Sequence, residues 1–173
     1  VDNQKEFRLR VGQSKVPYGW VNMQSSQNRA PLERPDALNS AVEGERDIGA
    51  FFYWAPAEIR ERYRELIKKG LKGSGDYGVA GFGPYSGQGL NRSDANGDLH
   101  FVARVAYPFK LDNGQFFELG LQGYTGRYVV GNQAITIGTN SITPSVLKNG
   151  HADQRAALSA IWYPQPFGVE AEW

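Results

Sequence analysis

A chain of 173 residues, 40% hydrophobic and 21% charged, suits one domain, and with no cysteine it excludes disulfide frameworks, thiol catalysis and Cys-ligated metals. A formal net charge of +1 excludes a general nucleic-acid binder, so any basic function has to come from local placement. The apolar residues are spread through short alternating runs among 21 glycines and 13% aromatics, a pattern of many strands and few helices.

Residues 5–13, KEFRLRVGQ, alternate with period two: Phe7, Leu9 and Val11 share one face and Arg8 and Arg10 the other, which predicts a strand. It runs into a Pro-Tyr-Gly-Trp corner and a polar, amide-rich loop over 20–45. RDIGAFFYW at 46–54 is a second strand, stopped by Pro56. Its phase stays open, because Ile48, Ala50, Phe52 and Trp54 alternate with Gly49, Phe51 and Tyr53 and both sets are apolar near its end. In PAEIRERYRELIKKG at 56–70 the period changes. Ile59, Tyr63, Leu66 and Ile67 recur at helical spacing, Pro56 suits the first turn and Gly70 the C-terminal cap, predicting one short amphipathic helix packed on strand ends. Strands resume with DYGVAGFGPY and with LHFVARVAYPF, where Phe101, Ala103, Val105 and Tyr107 oppose His100, Val102 and Arg104. Asp-Asn-Gly at 112–114 predicts a tight hairpin into FFELGLQGYTGRYVV. A long loop over 131–153 follows, and two strands around Pro-Gln-Pro at 164–166 complete a count of about seven.

The connections alternate in length, so one end of the sheet carries the large loops, as outer-membrane barrels do with their short periplasmic turns and long extracellular loops. No apolar run is long enough for a transmembrane helix, and no signal-peptide pattern begins the chain. Barrel strands of about ten alternating residues escape hydropathy averaging, so a mean hydropathy of -0.50 is compatible with a membrane. Trp54, Tyr107, Phe109, Tyr128, Trp162, Tyr163 and Trp173 fall near strand ends, where an aromatic girdle would lie. The pattern leaves two readings open: an all-β, antiparallel transmembrane β-barrel segment spanning 1–173, or a soluble β-sandwich or lipocalin-like binding module whose apolar residues converge on a closed core.

Other chemistry is weakly supported. Glu33, Asp36, Glu43, Glu45 and Asp47 form no readable catalytic pair, and His100 and His151 lack metal-ligand spacing. GFGPYSGQG at 81–89 imitates a phosphate loop without the GK[ST] ending or a following helix.

The stretch RVGQSKVPYG, followed by QSS, LER and GERDIG at 44–49, resembles the phosphate-selective porin O and P family of Gram-negative outer membranes, most closely over residues 5–54. That resemblance implies a segment of a sixteen-stranded barrel, usually trimeric, in which residues 20–45 form an inward constriction loop and the helix at 56–70 lies on the periplasmic side. It implies a passive channel, not an enzyme, with no cofactor and no nucleic-acid partner, whose partners are outer-membrane lipids and small anionic solutes. Pore-lining residues would be Arg8, Arg10, Lys15, Asn22, Ser25, Ser26, Arg29, Arg34, Arg46 and Arg104. In phosphate-selective members a lysine stands where this chain has Arg10, and a second, at the narrowest point, falls on Asn22; the serine pair is kept as Ser25 and Ser26. Phe7, Leu9, Val105, Leu119, Leu121, Val169 and Ala171 would then face lipid, and Arg8, Arg10, Arg104, Glu118 and Glu170 the lumen. The expected selectivity is a weak preference for anions, with a modest phosphate site at most.

Overall fold

A computed structural model describes residues 5–130, 135–143, 145 and 147–173. Strands β1 (Phe7–Lys15), β2 (Arg46–Trp54), β3 (Ala80–Tyr85), β4 (His100–Lys110) and β5 (Phe116–Tyr128) are followed by a small separate hairpin, β6 (Ile135–Ile137) with β7 (Asn140–Ile142). The chain ends with β8 (His151–Trp162) and β9 (Val169–Glu172). β1, β2, β3, β4, β5, β8 and β9 make one antiparallel sheet in that spatial order, open at both edges. The expected seven strands are therefore all present in it.

Because every strand pairs with its chain neighbours, successive connections fall on alternate rims. The segments 16–45, 86–99 and 129–150 share one rim, and 55–79, 111–115 and 163–168 the other. Part of the loop expected over 131–153 lies outside the described residues, namely 131–134, 144 and 146; the described part carries the β6–β7 hairpin. At 111–115 the turn closes through Leu111 N–H to Gln115 O (2.9 Å) and Gly114 N–H to Leu111 O (2.9 Å), with Gly114 at the positive φ of 81° that the Asn-Gly pair supplies.

The predicted helix forms as α3, Ala57–Lys68, with α1 (Trp20–Met23) and α2 (Asp36–Ala41) as two shorter helices inside the polar loop. Gly70 ends α3 in a Schellman arrangement, its N–H bonding Ile67 O while Leu71 N–H reaches back to Leu66 O. Ile59, Tyr63 and Leu66 are buried as expected, but Ile67 is exposed. Arg62 ties the helix to the end of β4, donating to Pro108 O at 2.8 Å and lying over the Tyr107 ring.

The two faces of the sheet differ in kind. Phe7, Leu9, Val11, Phe82, Phe101, Val105, Leu119, Leu121, Leu158 and Val169 stand on one face and are exposed, Val11 at 72%. An apolar surface this continuous is far larger than the patches that water-soluble monomers leave uncovered. A sandwich or lipocalin-like module would fold this set inward; the structure keeps it outside. β2 takes the same phase, with Ile48, Phe52 and Trp54 outward and Phe51 and Tyr53 fully covered on the other face. Outward aromatics gather toward the rim that carries 111–115 and 163–168: Tyr107 contacts Phe109 (4.8 Å between centroids), Phe109 contacts Phe117 (6.3 Å) and Phe117 contacts Trp162 (5.8 Å). Tyr163 departs from the expected girdle and turns inward, buried against Trp20 and Glu118.

Candidate pore-lining surface

Cross-strand register builds the polar face in rows. Arg8 lies opposite Tyr53, Tyr53 opposite Gly81, Gly81 opposite Arg104 and Arg104 opposite Gln122. Glu118 and Glu170 flank Ile161 in another row. The set expected to share a watery side, Arg8, Arg10, Arg104, Glu118 and Glu170, thus shares this face, and the apolar set the opposite one.

Residues 16–45 fold across this face. Gly19, at φ 82°, turns the chain inward where a Cβ would collide with Leu38. Beyond it the Trp20 and Val21 N–H groups donate to the Glu172 carboxylate of β9 (2.6 and 3.3 Å). Tyr18 packs edge-on to Tyr124 at 4.9 Å, and Arg155 of β8 holds Ala37 O at 3.0 Å and Ser40 Oγ at 2.6 Å. The loop that leaves β1 is therefore moored on the far strands β8 and β9.

Its base is organised by one carboxylate. Lys15 Nζ lies 2.9 Å from Glu45, Arg29 donates to the same group, and Arg34 Nε stands 3.8 Å away. Burial pushes the Glu45 carboxyl up, but hydrogen bonds from Lys15 and Arg29, with their charges, outweigh it and hold it below the usual carboxylate range. Asn22 is wholly buried in this knot: its amide donates to Val16 O at 3.0 Å and its oxygen accepts from Arg34 at 2.9 Å. A second carboxylate works similarly on the neighbouring connection. Buried Asp47 accepts from the N–H groups of Gly87 (2.8 Å) and Gly89 (3.1 Å), so the glycine-rich stretch that imitates a phosphate loop grips an internal carboxylate.

From the opposite rim, residues 71–79 also enter this face. Arg104, only 2% exposed, donates to Tyr77 O (3.1 Å), Gly78 O (2.8 Å) and Ser74 Oγ (3.1 Å), and Ser74 Oγ in turn donates to Glu118. Tyr163 OH completes the Glu118 carboxylate at 2.8 Å.

Between these two inward segments lies a cleft of about 940 Å³ beside β1, lined by eight cationic side chains and three carboxylates. Arg8 and Arg10 project into it over the Tyr53 ring, 5.6 and 5.7 Å from its centroid, and Arg10 also lies over Tyr77. Lys15, Arg46, Ser25 and Ser26 line the same space. Among the described residues Arg10 and Arg46 have no carboxylate within ion-pair distance.

A family model described as phosphate-selective porin O and P matches residues 1–173. The chain belongs to this family. It is a protein of the Gram-negative outer membrane, and its antiparallel sheet, apolar on one face and polar on the other, is a stretch of porin wall. No curated protein and no solved structure matches the chain.

Of the residues expected to line the pore, Arg8, Arg10, Lys15, Ser25, Ser26 and Arg46 surround the cleft of this porin. Asn22 and Arg104 do not: both are buried, because each satisfies several backbone groups that would otherwise be left without partners inside the protein. Arg29 and Arg34, with side chains 8% exposed, are spent on the Glu45 knot. Sequence reasoning did not find Tyr53, Tyr77 and Asp76 as part of the cationic surface. For Tyr53 a signal existed in its cross-strand place beside Arg8, but the open phase of its strand hid it.

Proposed function

We propose that this porin is a diffusion channel that prefers small anions, with residues 20–45 as its constriction loop, the helix at 56–70 on the periplasmic side, and a homotrimer as the working unit. One observation carries the preference: the cleft has eight cationic side chains against three carboxylates. In a narrow passage with low-dielectric walls, fixed charge raises the local concentration of counter-ions well above its effect in open water. Guanidinium groups also suit oxyanions through paired hydrogen bonds.

Phosphate discrimination is modest on this reading. Where phosphate-selective relatives are expected to offer a lysine, Asn22 offers an amide that is already used inside the loop. Reversal potentials of the full-length porin in planar bilayers under a potassium chloride gradient test the proposal. Anion selectivity is expected, with little block of chloride current by low phosphate concentrations; a cation-selective reversal potential refutes it.

A further inference from the structure

Two segments narrow the polar face, and they come from opposite rims. The loop 16–45 descends from one, and residues 71–79 rise from the other until Tyr77 OH donates to Met23 O at 3.4 Å. The second segment is fixed in place. Arg104 holds its backbone and Ser74, Val79 N–H bonds Trp54 O at 2.8 Å, and Ala106 N–H bonds Val79 O at 2.7 Å. Its tip is different: the Asp76 side chain is 83% exposed, and among the described residues its carboxylate pairs only with Arg8, at 3.5 Å.

We propose that residues 71–79 are a second jaw of the channel and that Asp76 at its tip sets how strongly the channel prefers anions. This rests on the anion-preferring reading above. Of the three carboxylates lining the cleft, Glu45 is held by Lys15 and Arg29, and Glu6 accepts from the first N–H of α3 at Ala57 (2.8 Å). Asp76 is the one that meets a strand arginine in open solvent. It competes with a passing anion for Arg8 and lowers the positive potential around Arg10, whose guanidinium lies over the neighbouring Tyr77 ring. The consequence is weaker retention, so anions are drawn in and released without a deep trap. Buried Arg104 acts through the backbone of 77 and 78 as a positioning residue for that carboxylate.

The test uses the full-length porin in planar bilayers. Asp76→Asn should raise the anion-to-cation permeability ratio about two- to threefold, the effect of removing one charge several ångströms from the permeation path. Asp112→Asn, on the same rim but outside the cleft, removes the same charge and should leave the ratio unchanged. A shift equal in the two variants, or absent in Asp76→Asn, overturns the proposal. The wild-type ratio alone tests the anion-preferring reading, and the difference between variants tests this one, so the two fail separately. These 173 residues hold no cysteine, so in a full-length porin free of other cysteines Asp76→Cys can be labelled specifically with a cationic methanethiosulfonate reagent. A fall in single-channel conductance with a rise in anion preference is expected, and unchanged conductance after complete labelling also overturns the jaw.

Discussion

Glu45→Gln removes the charge at the centre of the loop's base and keeps the side chain's shape. Lys15 Nζ at 2.9 Å and Arg34 Nε at 3.8 Å, together with Arg29, would then face one another with no anion between them. Removing one partner from a buried ion pair costs about 3–5 kcal/mol. The Glu45 side chain keeps a quarter of its surface in water, and that screening reduces the expected loss to about 2–3 kcal/mol. The loss falls on the loop and not on the wall, because none of these groups belongs to the sheet's central strands. Amide hydrogen exchange on the refolded full-length porin should therefore speed up over residues 20–45 by a factor of about 30–150, at about 1.4 kcal/mol per tenfold. Amides of β4 and β5 should stay as in the wild type. Acid gives the same answer without a mutation. A carboxyl held below its ordinary value contributes stability above the unfolded value of about 4.3 and loses it as the pH falls through the lower folded value. Loop protection in the wild type should persist to about pH 4 and fall below it, while the variant, which lacks the Glu45 carboxyl and keeps only the Glu172 carboxylate as a mooring, should lose less over that window. Unchanged loop exchange in Glu45→Gln, or equal acceleration in loop and wall, would refute the reasoning.

Two further outcomes follow from the faces of the sheet. Leu121→Arg puts a charge on the exposed apolar face at mid-strand and should cost about 2–4 kcal/mol of folding into lipid vesicles, read by urea titration; a loss below about 0.5 kcal/mol, ordinary for a water-exposed site, would contradict a lipid-facing surface. Arg104→Ala leaves the carbonyls of Tyr77 and Gly78 and the Ser74 hydroxyl without their donor and removes the opposite charge from the region of buried Glu118, and should cost about 3–5 kcal/mol, whereas Arg104→Met with Glu118→Leu should recover only the part due to the buried charge; full stability in the single variant would exclude the clasp.

Period two made the wall readable. In β1 the alternation of Phe7, Leu9 and Val11 with Arg8 and Arg10 is clean, and the structure keeps it; in β2 both sets are apolar, and only pairing with β1 fixed which faces outward. The helix at Ala57–Lys68 was legible from its stripe and its glycine cap. What the sequence could not show was the use of each cation. Arg8 and Arg104 look alike in an alternating strand, yet Arg8 keeps its head in the cleft while Arg104 is swallowed by a segment that starts beyond a helix. Such long-range closures depend on where a loop lands, and no local pattern encodes that. The helices Trp20–Met23 and Asp36–Ala41 escaped for a related reason, being too short to show a period and stabilised by the surface they cover.

The mooring of the inner loop also orders assembly in time. Each strand of the wall pairs with the next wall strand along the chain, so the sheet can grow pair by pair through closures of 30 residues or fewer. The Glu172 carboxylate that receives the Trp20 N–H lies 152 residues further along, on the last strand described. The loop cannot reach its berth until nearly the whole of this wall has zipped. A wall paired only as far as β8 leaves the Trp20 and Val21 N–H groups without the Glu172 carboxylate, and the loop gains that anchor only once β9 is in place.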